Sequence, residues 1–342
     1  MSGNKYRELC GLKQGQALRF GGDNAECLLC PDMGGRIFGE CGGISLHRID
    51  LECAAHPSAA FNNYGGNNFW PAPEGGRFAF NYRGNEWYVQ PAVNEQPFHI
   101  EKADRSSALI VKDAKLANRA GTILDVLMQR EFRLFEEAPA LLRRLPLKGF
   151  FSYSTTDSFK VKNAVSPEEA LIAAWTLEQF EASDNTLSFA VVPNPGTAIN
   201  FDFYEHPGEK IEYYEKGFTY RTDARRKGQI GVKVLSGAKF IGFIDRGKNL
   251  LCLRENLGPN EGKYFNIADN DQPQGHFSAA DNYSIFNSDE GMKAFELETV
   301  GAARIRDGVL TGSNLNSATS FAIFENITGL DGFLGRHLGR KI

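Results

Sequence analysis

Met128-Gln129-Arg130-Glu131-Phe132-Arg133-Leu134 interleaves apolar and charged residues at period two, the signature of a half-exposed β-strand. The same texture extends in both directions. The chain is rich in Phe (26) and Gly (36), and its short apolar runs are bounded by Gly, Asn, Asp or Pro, as in many strands joined by turns. Strands are expected over residues 26–30, 36–40, 77–81, 127–135, 170–180, 186–192, 250–255 and 293–300, among others. Helix is expected to be scarce. Residues 317–326 form one short candidate, and Ser166-Pro167-Glu168-Glu169 reads as a turn leading into a strand. The expected fold class is all-β, with two large antiparallel sheets packed face to face in a single domain over residues 1–342.

Composition narrows the function. With 342 residues and 42% hydrophobic content the chain can bury a large core, and 38 Lys+Arg against 42 Asp+Glu leave a net charge of −4. No basic run tracks a phosphate backbone, so nucleic acid is not an expected partner. No stretch approaches the roughly 20 apolar residues of a membrane span, and residues 1–19 are polar with no signal-like apolar segment. No membrane partner is expected. The expected compartment is the cytoplasm, or outside it should a leader have been removed. The oligomeric state is not legible. Cys10, Cys27, Cys30, Cys41, Cys53 and Cys252 are too few for a disulfide scaffold, and most are expected to be free thiols. Cys27-x-x-Cys30 lacks the second close pair of a zinc site, and on a strand its members face opposite sides, so no metal is expected. No cofactor is expected either.

Two long segments, residues 53–76 and 256–287, carry too many polar, Gly and Pro residues to be core and are read as functional loops. The first holds Asn63-Tyr64-Gly65-Gly66-Asn67-Asn68-Phe69-Trp70-Pro71-Ala72-Pro73-Glu74-Gly75-Gly76-Arg77. Planar rings beside amides, a carboxylate and a guanidinium match a sugar, which offers a weakly apolar C–H face and a rim of hydroxyls. The expected ligand is a small molecule or an oligosaccharide.

In order along the chain, four landmarks resemble the galactose mutarotase-like superfamily, which includes the aldose 1-epimerases. Leu29-Cys30-Pro31-Asp32-Met33-Gly34-Gly35-Arg36-Ile37 resembles its opening strand and turn, and Gly65 to Glu74 its aromatic segment at the site. Arg130-Glu131-Phe132-Arg133-Leu134 resembles its middle strand, and Phe295-Glu296-Leu297-Glu298-Thr299-Val300 the late strand that delivers a catalytic glutamate. The resemblance implies a β-supersandwich and ring-opening epimerisation, in which a glutamate takes the anomeric proton and a histidine protonates the ring oxygen. Glu296 and Glu298 share a strand face, and Glu298 is favoured as that glutamate. Where the resemblance expects a histidine, Ala173-Ala174-Trp175-Thr176-Leu177-Glu178-Gln179 offers Trp175 instead, which turns attention to His276 and, after it, His99.

The candidate catalytic residues are therefore Glu298, His276 and Glu178, the last serving as acid if its face of the strand is the concave one. Candidate substrate contacts are Asn68, Trp70, Glu74, Arg77, Trp175, Gln179 and Lys263. Asp269-Asn270-Asp271 is a faint cation set without the Gly and distal Glu of an EF-hand loop, so turn chemistry is its default reading. The leading expectation is a carbohydrate-active, aldose 1-epimerase-like protein. Its rivals are a glycoside hydrolase or lyase, using Glu74 with Glu298 or Glu178 with Glu255, and a non-catalytic carbohydrate-binding module. Whether the protein is an enzyme is left open by the sequence.

Overall fold

Strand periodicity carries through to the architecture. The computed structural model describes residues 4–342 except 23, 60, 259, 269–270, 272–274 and 279. Two antiparallel sheets, one of ten strands and one of eleven, face each other, and a two-stranded hairpin stands apart from both. The ten-stranded sheet runs Leu18–Gly22, Ala25–Cys30, Arg36–Cys41, Gly66–Ala72, Ala173–Glu181, Ala294–Val300, Asp281–Asn287, Gly228–Lys233 and Ile199–Asn200, with Ile44–Ser45 beside Arg36–Cys41. The eleven-stranded sheet is built around Leu147–Val161 and Val309–Phe324, which pair along most of their length. Aromatic and aliphatic side chains such as Phe69, Phe132, Phe159, Phe180, Phe243 and Phe321 fill the space between the sheets. The fold is all-β, as the alternation predicts.

Charged groups also lie between the sheets, and Arg130 and Glu178 there are held in ion pairs. Arg130, on the strand Ile123–Leu134, is fully buried; its Nε donates to Asp157 at 2.8 Å, and its Nη1 donates to the Gly35 carbonyl at 2.7 Å. Glu178 is likewise fully buried and accepts from Arg254 at 2.5 Å, Thr319 at 2.7 Å and His47 at 2.7 Å. Because His47 Nδ1 accepts the Gly39 N–H at 3.0 Å, its Nε2 is the nitrogen that donates to Glu178. The Tyr153 hydroxyl donates to the same carboxylate. Burial alone would push Glu178 up, but the Arg254 charge and the His47 and Tyr153 hydrogen bonds outweigh it and hold the carboxyl at about 2.

Several local expectations are corrected. Residues 66–72 form the buried strand Gly66–Ala72 rather than a loop. Pro71 is tolerated there because the strand's far edge pairs with Arg36–Cys41 only at Ile37–Asn67, so the missing N–H breaks no ladder on that side. Residues 77–81 are turns, not a strand. Residues 317–326 belong mostly to the strand Val309–Phe324, whose Ser and Thr hydroxyls face the buried Arg254. The helix begins just beyond, at Ile327–Leu338, capped by Asn326 accepting from the Gly329 N–H. Gly329, Gly332 and Gly335 hide that helix from propensity, while Leu330, Phe333, Leu334 and Leu338 pack on the outer face of the larger sheet. Cys27 and Cys30 face separate clusters on the two sides of their strand, and the described cysteines are all free thiols.

The interior ion pair generates a stability test. Glu178→Leu leaves the Arg254 guanidinium buried without its carboxylate and should cost about 3–5 kcal/mol at pH 7, read as a lower denaturant midpoint. Glu178 is held below the ordinary carboxyl value of 4.5, so its contribution is full above that value and is lost as pH falls through about 2. The gap between wild type and variant should therefore narrow as the pH approaches 2.

Candidate active site

Antiparallel register decides which side chains meet on the outward face of the ten-stranded sheet. Trp175, Leu177 and Gln179 alternate onto that face from the strand Ala173–Glu181 and line a cavity of about 490 Å³. On one side Trp175 sits opposite Trp70, Leu177 opposite Asn68, and Gln179 opposite Gly66. On the other, Leu177 is opposite Glu298 and Gln179 opposite Glu296. One strand farther out, Ser284 stands beside Glu298 and Phe286 beside Glu296, with Gln229 across from Phe286. The result is two aromatic rings at one end of a patch and two carboxyl groups at its centre. Glu74, just after the Gly66–Ala72 strand, adds a third carboxyl to the wall.

The carboxyls are held by donors of known direction. Trp175 Nε1 donates to Glu298 Oε2 at 3.0 Å, Gln229 Nε2 donates to the same oxygen at 3.1 Å, and the Ser284 hydroxyl donates there too. Gln179 Nε2 donates to Glu296 at 2.6 Å, while Arg48 Nη1 donates to Gln179 Oε1 at 2.9 Å and so fixes which way the amide points. Glu296 and Glu298, two residues apart on one strand, share a face and both line the cavity. Burial raises both carboxyls, and for Glu298 the neighbouring charges of Glu296 and Glu74 add to the effect. They titrate as a pair. Glu74 is raised to about 7, first by burial and then by Glu296, with Lys227 opposing.

Unpartnered donors also line this space. Arg36 is buried on the strand Arg36–Cys41, with its Nη2 donating to Asn94 at 2.8 Å and its guanidinium 5.2 Å from the Tyr64 ring centroid. Its Nε and Nη1, and Trp70 Nε1, have no hydrogen-bond partner among the described residues. Burial pushes Arg36 down to about 10, so it stays charged at neutral pH.

The candidates from sequence divide into two groups. Asn68, Trp70, Glu74, Trp175, Gln179 and Glu298 all line the cavity. Glu178 points the other way, into the interior network, because it is one residue out of phase with Trp175 and Gln179. Arg77 and His276 meet each other elsewhere: Arg77 Nη2 lies 3.0 Å from His276 Nε2, and both pack on Phe78. Lys263 lies over the Phe277 ring in a separate hollow, His99 is exposed on the strand His99–Ala103, and Glu255 lines a hollow shared with Phe135. Of Asp269-Asn270-Asp271, the first two lie outside the described residues; Asp271 approaches Arg77 at 3.9 Å. Among the described residues, no cluster of His, Cys, Asp and Glu is arranged to hold a metal ion.

The cavity also contains residues not singled out from sequence. Gln229, Tyr204, Lys227 and Phe286 arrive from strands and turns far along the chain, and no local pattern marks them. Tyr82 and Trp87 had a signal: Arg83-Gly84-Asn85-Glu86 joins two aromatic-bearing runs, and a Gly-Asn centre between such runs is hairpin chemistry. The hairpin forms, with Tyr82 paired to Trp87 and Gly84 at φ 61°.

A family profile described as a family of unknown function (DUF6786) matches residues 17–307. No protein of curated function matches the sequence. Among solved structures, similar folds include a candidate aldose 1-epimerase of Escherichia coli K12, with a TM-score of 0.52 and 13% identity over 90% of this chain and 98% of that one. The Slr1438 protein of Synechocystis sp. PCC 6803 matches with a TM-score of 0.53 and 11% identity over 90% and 94% of the two chains. A galactose mutarotase-like protein of Lactobacillus casei ATCC 334 matches with a TM-score of 0.50 and 10% identity over 90% and 98%. At such identities the likeness establishes the galactose mutarotase-like fold, and the chemistry has to be argued from the cavity.

Glu74 supplies a test of the site's electrostatics. Its carboxyl is raised above the ordinary 4.5, so between that value and about 7 the folded protein binds a proton the unfolded chain has lost, and stability falls as pH rises through that window. The side chain keeps some contact with solvent, which reduces the effect. Glu74→Gln should therefore be more stable than wild type by about 1–2 kcal/mol above pH 7 and indistinguishable from it near pH 4, measured by denaturant unfolding across pH.

Proposed function

The chain belongs to the DUF6786 family of unknown function, and we propose that it is a carbohydrate-active protein that moves protons at the anomeric centre of a free sugar, opening the ring and letting it reclose on either face. The observation that carries the proposal is the placing of three raised carboxyl groups, Glu74, Glu296 and Glu298, on the wall of one cavity that also contains Trp70 and Trp175. Ring opening needs a base for the anomeric hydroxyl and an acid for the ring oxygen, present together at the working pH. In its ionised form Glu298, beside Glu296 on the same strand face, accepts the anomeric proton. Glu74, half-protonated near pH 7, supplies the proton for the ring oxygen. This division of labour needs no histidine, and among the described residues none lines the cavity.

Recognition follows from the same wall. Trp70 and Trp175 offer apolar surface to the C–H face of a sugar, while Trp70 Nε1 and the Arg36 nitrogens are buried donors that sugar oxygens would satisfy.

NMR exchange between α and β anomers, run over a panel of aldoses, tests the reading directly. At least one aldose should interconvert faster with the protein present, and no acceleration across the panel would refute the proposal. For a responsive sugar, Glu298→Gln should lower the rate by about 10²–10⁴ while leaving affinity within a few fold. The wild-type rate should fall as pH rises through about 7, where Glu74 ionises, and that alkaline decline should disappear in Glu74→Gln at a lower overall rate.

A further inference from the structure

The cavity does not end at its own rim. A second hollow, of about 480 Å³, shares Phe61 and Trp87 with it and continues over Arg83, Tyr88 and Glu95. The rings form a continuous line from inside to outside: Phe61 lies edge-on to Trp70 at 5.8 Å and edge-on to Trp87 at 5.5 Å. Trp87 ends that line 45% exposed, a large apolar ring left in water.

Its hairpin is braced. Arg119 lies 5.0 Å from the Tyr82 ring centroid and donates to the Gly84 carbonyl at 2.9 Å and to Asn85 at 2.6 Å. On the far side Arg83 sits 4.6 Å from the Tyr88 ring centroid. An aromatic face presented on a fixed support, with a guanidinium and carboxylates at its edge, has the same amphipathic character as the inner wall: a flat apolar surface rimmed by hydrogen-bonding groups.

We propose that this hollow is a second saccharide subsite and that the substrate is a reducing oligosaccharide, with its reducing-end ring in the inner cavity and the adjoining ring against Trp87. The assignment of the reducing end rests on the ring-opening reading above. That chemistry leaves the anomeric carbon of the inner ring free, so the rest of the glycan must leave from another carbon of that ring, past Phe61 and Trp87, which line both hollows. The shared wall of the two hollows provides that route.

Calorimetric titration of glucose, galactose, maltose, cellobiose and lactose, paired with anomer-exchange NMR on the same sugars, tests the subsite. At least one disaccharide should bind about tenfold more tightly than its own reducing-end monosaccharide, the effect of one additional stacked ring. The double variant Arg83→Ala/Tyr88→Ala alters only the outer hollow and should reduce that gain to about twofold or less, with monosaccharide affinity and exchange unchanged. Arg83→Ala alone, on an exposed side chain, repeats the test in a milder form should the double variant fail to fold. A monosaccharide that binds and is isomerised with no gain from any second ring overturns the subsite and leaves the ring-opening reading standing. Tighter disaccharide binding with no isomerisation supports the subsite and overturns that reading. No binding or exchange with any of these sugars overturns both.

Discussion

The strand Ala173–Glu181 is shared between two environments, and its period-two alternation keeps them apart. Trp175, Leu177 and Gln179 face the cavity, whereas Thr176 and Glu178 face the opposing sheet. A slip of one residue would exchange the two sets, placing an indole and an amide in the interior and a carboxylate in the cavity. The interior hydrogen bonds oppose that slip. Glu178 is gripped by His47, Tyr153, Arg254 and Thr319, which come from four different segments of the chain. Each bond is directional, so together they fix register more sharply than packing of Phe and Leu could.

The same constraint organises the site. With Glu178 pinned, Gln179 is brought opposite Glu296 and Leu177 opposite Glu298, and the carboxyl pair stands at the centre of the sheet face. Arg48 and Gln229 then orient or donate to these groups from outside the row. Burial does the rest. Carboxyls that would ionise fully in water are raised by the loss of solvent and by one another, and for Glu74, raised to about 7, protonated and ionised forms coexist near neutral pH. The chemistry proposed for the cavity depends on that coexistence rather than on a histidine.

Local pattern carried the reading of the fold as far as period-two alternation and turn residues reach. It failed where a local cue was overridden by position in the sheet. Pro71 and the flanking glycines argued for a loop, yet Gly66–Ala72 is a buried strand because its outer edge is largely unladdered. The polar run near residue 317 suggested a helix, yet those hydroxyls serve a buried guanidinium across the sheet. Within the site, Trp175, Gln179 and Glu298 were legible from strand alternation, Glu298 also from the resemblance, and Trp70 from the resemblance and from the ring, amide and carboxylate content of its segment. Arg77 and His276 were proposed from their place in long polar segments, which says nothing about the direction a segment takes in space.

Sequence by itself determined the strand-rich architecture, the acidic strand near residue 297 and the shared face of Glu296 and Glu298, since each follows from alternation within a few residues, and it marked the aromatic segment near residue 70 by composition. Tertiary structure alone decided that Glu178 belongs to the interior, that Arg36, Gln229 and Trp87 belong to the cavity wall, and that His276 does not. Those outcomes depend on which strands become neighbours. Pairings between residues more than one hundred positions apart, such as Leu177 with both Asn68 and Glu298, are set by the packing of whole sheets.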